Sequence, residues 1–488
     1  SANPNIDDFD GNNRRIRARV NSTGAGKLDV AAALGVSLTA DPAALSFGVY
    51  AGTSRSIGLR LTNSSTTAAT ISAQIQARDA DASARLTITP SNFSIAPGQT
   101  TQLSVVLSGA RPAAGNYEGI ISLTGTGTTL RIPYLYLVGD GVPFNIYSLA
   151  GNSFLGTPNQ GLNDQPRQPL MSLKVLDKFG VPVQNQPVVW SAVSGGGRIE
   201  TVSTSSRTDE YGISEGYVSL GPSLGEQSFR VTAGALTQFF EGRTIPIPVI
   251  NSNGVTDAAA FAVGRPVAPG SYITIKGAAL SELTRIYSTP SLPVSLSNVS
   301  VTFDSPDRRI SEPGRLHFVS EGQINVQVPW EFANQTVARM KVINNGIRTA
   351  VIDVPLAEFA PGFFEFDDAT SGRRLAAALD VDYRLLNSAN PAQRGKTIQL
   401  FLNGLGPITN TPATGEPSRV PPLSETLTKP TVTIGGRTAS VSFAGLTPDS
   451  VGLYQVNVIV PEDAPTGVQP VKLNIGGVDS QTSQLFVR

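Results

Sequence analysis

Hydrophobic and polar residues alternate in short runs along most of the chain. The alternation is clear at residues 56–62, 103–107 and 119–123, and turn-forming residues separate the runs, as at residues 96–99. A period of two places alternate side chains on opposite faces of an extended chain, as in a strand with one buried face. The pattern therefore predicts an all-β protein built from short strands.

One segment near the start has a different pattern. Residues 23–35 read TGAGKLDVAAALG, in which a Gly-rich turn leads into an Ala/Leu run that stops at Gly35. Ala and Leu favour helices, and Gly commonly follows the last turn of one. We predict a short helix within residues 1–36.

Length and composition set the number of modules. The chain has 488 residues, and an Ig-type sandwich needs about 100. The 48 glycines and 35 prolines show no collagen period, and the charged fraction of 15% is too low for ordinary disorder. Because the chain has no cysteine, each module must fold by burying apolar area, without disulfides. We predict tandem Ig-like or fibronectin-III-like β-sandwiches.

Charge and hydropathy limit the partners. Lys+Arg 37 balance Asp+Glu 37, no basic cluster is interleaved with aromatic residues, and no apolar run reaches the length of a spanning helix. We expect no nucleic-acid partner, no membrane insertion and a monomeric chain. Residues 1–4 lack an initiator Met and the plan of a signal peptide, so we expect the chain to come from a longer precursor.

Two stretches carry a resemblance to one protease family. Residues 23–35 resemble the end of the subtilisin-like (S8) catalytic domain, which makes residues 1–36 a remnant of that domain. Residues 42–48, 115–119 and 132–137 resemble the fibronectin-III-like domain that follows some S8 catalytic domains, with bounds of 37–140. The resemblance implies that this chain is the non-catalytic tail of a secreted serine endopeptidase.

The next module has a different pattern of turns. Residues 175–183 (VLDKFGVPV) and 208–212 (TDEYG) place Asp and Gly where tight turns need side-chain hydrogen bonds and positive φ. Together with the apolar residues 188–191 and the Gly-rich residues 194–197, they resemble the invasin-type bacterial Ig-like repeat. We predict one such sandwich over residues 141–248.

The last 240 residues contain an internal repeat. Residues 322–329 (GQINVQVP) recur as 454–461 (YQVNVIVP), and the blocks at 269–275 and 340–346 recur in the same order at 394–400 and 471–477. We predict two related Ig-like modules, a first repeat over residues 249–357 and a second repeat over residues 358–488. Both resemble an uncharacterised carboxy-terminal domain common in secreted acidobacterial proteins, which implies an extracellular or cell-surface location.

The repeated phrase supplies the candidate ligand contacts. Its alternation points Gln323, Asn325, Gln455 and Asn457 away from the core, where their amides could contact a sugar or a peptide. The alternative is structural, because such amides often satisfy neighbouring backbone groups. Trp190 and Trp330 have the same two interpretations, as platforms for sugars or as core residues interrupting an apolar strand pattern.

A catalytic apparatus is not expected. His317 is the only histidine and lies in a predicted strand, whereas a Ser-His-Asp triad needs its His beside a nucleophile and a carboxylate. Residues 52–54 (GTS) imitate the S8 nucleophile turn but continue into strand-like sequence, so we interpret them as a turn. One His without Cys also excludes the usual zinc sets.

A calcium loop is the one metal site suggested by the sequence. Asp8, Asp10 and Asn12 present oxygen ligands at alternate positions, although the Gly and the late Glu of a complete loop are absent. An exposed acidic turn is the alternative, and no other cofactor is expected.

The sequence as a whole predicts a non-catalytic accessory or spacer region of an extracellular subtilisin-like protease that docks substrate or the cell surface. The alternative is an adhesin-like surface protein that binds a glycan or a protein.

Overall fold

The computed structural model describes residues 2–3, 6–9, 12–28, 30–79, 81–125, 128–161, 170–287, 289–419 and 421–488. The chain divides into two compact units, Ser1–Thr244 and Ile245–Arg488. In the described residues, the strands form a series of β-sandwiches, so the predicted all-β class is confirmed. No described helix has the length and apolar character needed to cross a membrane. The proposed module boundaries at residues 36, 140, 248 and 357 stay a prediction.

The first unit begins with short elements. The predicted helix is present, but it is limited to five residues and ends at Leu34. Strand β1 pairs with β4, and β2 forms a hairpin with β3. The elements are β1 Ala2–Asn3, β2 Asp7–Phe9, β3 Arg15–Arg17, α1 Val20–Thr23, β4 Lys27–Leu28 and α2 Val30–Leu34.

Two facing sheets follow, with strand orders β10-β8-β12-β13-β6 and β5-β7-β11-β9. Alternate residues of β7 and β11, including Leu59, Leu61 and Leu103, are fully buried between them. Each such side chain contributes about 2 kcal/mol through burial, which is why the period-two pattern selects this arrangement. The strands are β5 Leu38–Asp41, β6 Leu45–Val49, β7 Arg55–Asn63, β8 Ala69–Ala77, β9 Ala84–Thr89, β10 Asn92–Ile95, β11 Thr100–Gly109, β12 Gly115–Gly125 and β13 Thr128–Val138.

The second sandwich of this unit has sheets β14-β16-β19-β18 and β15-β21-β20-β17. Trp190 is 8% exposed, stacks on Phe240 at 5.4 Å and donates its indole N–H to Ser214 Oγ, so it is a core residue. The strands are β14 Asn145–Ala150, β15 Phe154–Gly156, β16 Leu170–Leu176, β17 Val189–Ser194, β18 Arg198–Val202, β19 Ile213–Ser219, β20 Gly225–Ala233 and β21 Leu236–Thr244, with a 3-10 turn at Ser203–Ser206.

The turn predicted at Asp177 forms as expected. The buried carboxylate accepts the backbone N–H groups of Phe179 and Val181, both at 2.9 Å, and that of Asp140 at 2.8 Å. Gly180 adopts a φ of 79°, the left-handed region that favours glycine. One side chain therefore closes the hairpin and also holds the residues just before β14.

Replacement of Asp177 by Ala is expected to destabilise the second sandwich by about 2 kcal/mol, because buried N–H groups lose their acceptor. Asp177→Asn keeps an acceptor for two of the three N–H groups, so it should cost about half as much. Urea denaturation followed by Trp190 fluorescence measures both. Equal losses for the two variants would show that the carboxylate's hydrogen bonds are not the cause.

In the second unit, the first repeat has sheets β22-β23-β28-β27-β24 and β26-β25-β29-β30, and β31 pairs with β29. Its core includes Ile273, Phe303 and Val326. The strands are β22 Val249–Asp257, β23 Tyr272–Ala278, β24 Arg285–Ile286, β25 Val299–Asp304, β26 Ser311–Pro313, β27 Arg315–Val319, β28 Gln323–Gln327, β29 Val337–Asn344, β30 Ile347–Arg348 and β31 Ile352–Pro355, with a 3-10 turn at Trp330–Phe332.

The second repeat has the order β32-β36-β39-β38-β37-β40-β41, with β35 on β36 and β42 on β40. Strand β38 belongs to both layers, where the first repeat uses the separate β26 and β27. The strands are β32 Gly362–Phe363, β33 Glu365–Asp368, β34 Arg373–Ala376, β35 Ala378–Leu379, β36 Thr397–Asn403, β37 Thr431–Ile434, β38 Arg437–Leu446, β39 Tyr454–Ile459, β40 Gly467–Ile475, β41 Val478–Asp479 and β42 Ser483–Val487.

Candidate functional site

The repeated phrase lies on equivalent central strands, β28 and β39. Asn325 is opposite Thr274 on β23, and Asn457 is opposite Gln399 on β36, which is the pairing that the sequence repeat implies. In each repeat the Gln side chain donates to the Asn Oδ1 two residues later, at 2.8 Å. Both phrases thus share one local structure, with the amides on the face opposite the core.

The two repeats differ two residues further along. Gln327 is fully buried, donates to the Gly270 carbonyl at 3.0 Å and accepts the N–H of Gly415 at 2.8 Å. Its counterpart Ile459 is 39% exposed. Gly415 belongs to the second repeat, so residues of that repeat cover this end of the first repeat's outer sheet face.

Asn403 makes the second polar contact between the repeats. This buried side chain accepts the Tyr272 N–H at 3.0 Å and donates to the Tyr272 carbonyl at 2.7 Å. An amide that bonds both backbone groups of one residue imitates a neighbouring strand. Tyr272 is thereby held at the end of β23 with its ring beside the covered face.

Trp330 also lies at this junction. Its backbone N–H donates to Thr414 Oγ1 at 3.0 Å, and its ring packs against the second repeat's core. The expectation of a strand position is wrong for Trp330, because the residue begins the 3-10 turn that follows β28. Pro329 precedes it and cannot extend the ladder of hydrogen bonds.

A cavity of about 480 Å³ remains between this face and the second repeat. Of the four predicted contact residues, only Asn325 lines it. Gln323 and Gln455 are each engaged with a neighbouring side chain. The other groups that the site uses are Tyr272, Tyr287, His317, Phe364 and Asp449.

His317 reaches the cavity through a β-bulge. Leu316 and Phe318 are opposite the adjacent residues Val326 and Asn325, so His317 is the extra residue of β27. Its ring lies 5.9 Å from that of Tyr272 in an edge-on arrangement. Burial lowers the pKa of His317, so the imidazole is neutral at neutral pH and can both donate and accept.

The predicted strand position of His317 is therefore correct, but its place in a cavity was missed. A bulge has no strong sequence signal, because it depends on the register of two strands. Asp449 and Ser450 also line the cavity, yet in the described part of the chain neither forms a hydrogen bond with the His317 ring. The contacts of a catalytic triad are not made there.

The other sequence candidates lie in the first unit. Residues 52–54 form the turn before β7, with Gly52 at a φ of 94° and Ser54 exposed. Of the calcium candidates, Asp8 accepts the N–H of Phe9, and Asp10 lies outside the described residues. The described residues contain no cluster of three or more His, Asp or Glu side chains suited to a metal ion. The calcium loop stays a prediction.

An ion cluster holds the N-terminal elements against β8 and β12. Glu118 is 1% exposed, pairs with Arg78 at 3.0 Å and Arg19 at 3.5 Å, and accepts the N–H of Val20 at 2.9 Å. Arg19 also pairs with Asp79, and Arg78 donates to the Ala18 carbonyl at 3.0 Å. Since the carboxylate is almost fully desolvated, each of these bonds is needed to offset its burial.

No protein-family model and no curated protein sequence matches the chain. Among solved structures, a C-terminal fragment of intimin in complex with its Tir receptor domain is similar to 46% of this chain over 66% of its own length, with 14% identity and a TM-score of 0.26. Domains 5–6 of the S-layer protein SbsC match 43% of this chain over 96% of theirs, at 14% identity and a TM-score of 0.18. A Porphyromonas gingivalis protein of unknown function matches 43% of this chain over 99% of its own length, at 9% identity and a TM-score of 0.19.

Proposed function

We propose that this chain is a non-catalytic accessory region of an extracellular subtilisin-like serine protease. The observation that carries the proposal is an exposed apolar helix on an anchored segment. Val30 and Leu34 of α2 are 61% and 86% exposed, whereas Arg19 and Val20 are held by Glu118. Apolar side chains on a five-residue helix gain stability only when another surface covers them.

Residues 23–35 resemble the end of the S8 catalytic domain, so we propose that this domain provides the covering surface. In this proposal, α2 packs on the body of the catalytic domain, and the Glu118 cluster fixes where the first sandwich begins. The following sandwiches then act as a spacer outside the cell. Short antiparallel strands with filled cores suit this role because they resist bending within each module.

The test is made on the natural polypeptide. We expect a fluorophosphonate probe, which labels active serine hydrolases, to label the secreted protein whose peptides map to this sequence. Recombinant residues 1–488 should not be labelled. Peptides from an S8 domain contiguous with residue 2 support the proposal, and a natural polypeptide without such a domain and without labelling overturns it.

A second candidate function is an adhesin-like surface protein that binds a glycan or a protein. The cavity between the repeats favours it, because a concave space lined by aromatic and polar groups is typical of ligand sites. Both functions place the chain outside the cell. They differ in whether a catalytic domain is attached, which the labelling experiment decides.

A further inference from the structure

Three polar groups in the cavity have no protein partner among the described residues: the Tyr272 hydroxyl, the His317 ring nitrogens and the Asn325 Nδ2. Partial burial of Tyr272 raises the pKa of its hydroxyl. The three residues are half-buried, and these groups reach the open part of the cavity, where water or a ligand can bond to them.

The orientation of Asn325 is determined by its neighbours. Its Oδ1 accepts from Thr274 Oγ1 at 3.2 Å and from Gln323 Nε2 at 2.8 Å. Both bonds use the oxygen, so the Nδ2 donors are left for an acceptor in the cavity. A preset donor of this kind binds without a further loss of side-chain freedom.

The backbone around the cavity does not favour an extended peptide. Strands β23, β28 and β27 each pair on both sides within their sheet, so they offer no free edge for β-strand addition. Asp449 is the one carboxylate among the lining residues, and none of them is Lys or Arg. An ionic ligand has few partners there, while neutral hydroxyl groups have several.

The aromatic lining supplies the remaining selectivity. Tyr272, Tyr287 and Phe364 line the space together with His317. The negative face of an aromatic ring attracts the weakly positive C–H face of a sugar ring, while the sugar hydroxyls need donors and acceptors around them. The volume of about 480 Å³ lies in the range of small-ligand pockets.

The second repeat provides an internal comparison. In the equivalent register, Thr397 stands where the first repeat has Tyr272, and Ser442 occupies the bulge position of His317. Asn457 keeps the contact with Gln455 but has neither aromatic neighbour. The shared phrase thus maintains the sheet in both repeats, and the aromatic pair is particular to the first.

We propose that the cavity between the first repeat's outer sheet face and the second repeat binds a neutral sugar unit of an oligosaccharide or polysaccharide. The sugar ring stacks on the aromatic lining, and its hydroxyls bond to Asn325 Nδ2, the His317 imidazole and the Asp449 carboxylate. This site belongs to the second unit and does not depend on an attached protease. Its failure and the failure of the labelling experiment are therefore separate results.

The experiment uses the full chain and six probes: maltotetraose, cellotetraose, xylotetraose, mannotetraose, chitotetraose and laminaritetraose. We expect at least one to give saturation-transfer NMR signals at millimolar concentration. For that probe, Asn325→Ala and His317→Ala should each weaken the Kd measured by calorimetry about tenfold, as expected for loss of one well-placed hydrogen bond.

The matched control is Asn457→Ala, which removes the equivalent amide from the second repeat and should leave the Kd unchanged. Thermal unfolding of each variant checks that the fold is retained. No binding of any of the six probes overturns the proposal, as does equal binding by Asn325→Ala and the unchanged chain. Binding of unfolded casein peptides that is lost in both cavity variants would reassign the site to peptides.

Discussion

Glu118→Ala is expected to lower the free energy of unfolding of the first sandwich by about 3 kcal/mol and to release residues 12–28 from it. Glu118 is 1% exposed and faces Arg19 and Arg78, whose side chains are about one-third exposed. Removing one member of a buried pair leaves charge without compensation, which costs about 3–5 kcal/mol. Partial exposure of the two arginines places the effect at the lower end.

The release can be measured separately from the stability. Limited trypsin digestion should cleave at Arg17 and Arg19 faster in the variant, because these residues are no longer held on the sandwich. Arg60→Ala is the control. Its ion pair with Asp41 is more than 60% exposed on both sides, so its loss should cost under about 1 kcal/mol. Equal stability and digestion for both variants would contradict an anchoring role for Glu118.

Asn403→Ala is expected to destabilise the second unit by about 2–3 kcal/mol. The change leaves the Tyr272 N–H buried without an acceptor, whereas the Tyr272 carbonyl keeps the N–H of Ala258 as a partner at 3.0 Å. Asn403→Asp should cost at least as much, because a buried carboxylate would face that carbonyl. Urea denaturation followed by Trp330 fluorescence measures the loss.

Hydrogen exchange provides the local test for Asn403. The amide of Tyr272 should exchange faster in Asn403→Ala, since its hydrogen bond is gone. Asn474→Ala is the control, because this amide bonds Asp479 on the surface and its loss should change the stability by less than about 0.5 kcal/mol. Unchanged protection at Tyr272 would show that the Asn403 hydrogen bond is not what protects this amide.

Both predictions concern contacts between parts of the chain that are distant in sequence. Glu118 joins the N-terminal elements to the first sandwich, and Asn403 joins the two repeats. The sequence revealed these contacts only in part. Residues 23–35 predict a helix, yet nothing in the pattern indicates that Arg19 and Arg78 converge on Glu118. The Arg78–Glu118 and Arg19–Asp79 ion pairs join residues 40 and 60 positions apart, so they depend on the packing of distant elements. The same holds for Asn403 and Tyr272, which are 131 positions apart.

Local turns were easier to predict from the sequence. The Asp177 and Asp209 turns form as their residues predict, with Gly180 and Gly212 at φ values of 79° and 73°. A turn of this kind needs only contacts within four residues, so the composition of the segment is enough to specify it. Residues 52–54 likewise form the predicted turn, with Gly52 at a φ of 94°.

By itself, the sequence determined the all-β class, the positions of several strands, the internal repeat and the face on which the Gln and Asn side chains of the repeated phrase lie. These properties follow from a period of two and from turn chemistry, which act over short distances. Only the tertiary structure decided that Gln327 is buried while Ile459 is exposed, and that His317 and Asn325 share a cavity. Alternation assigns a side chain to a face, but whether another module covers that face depends on long-range packing.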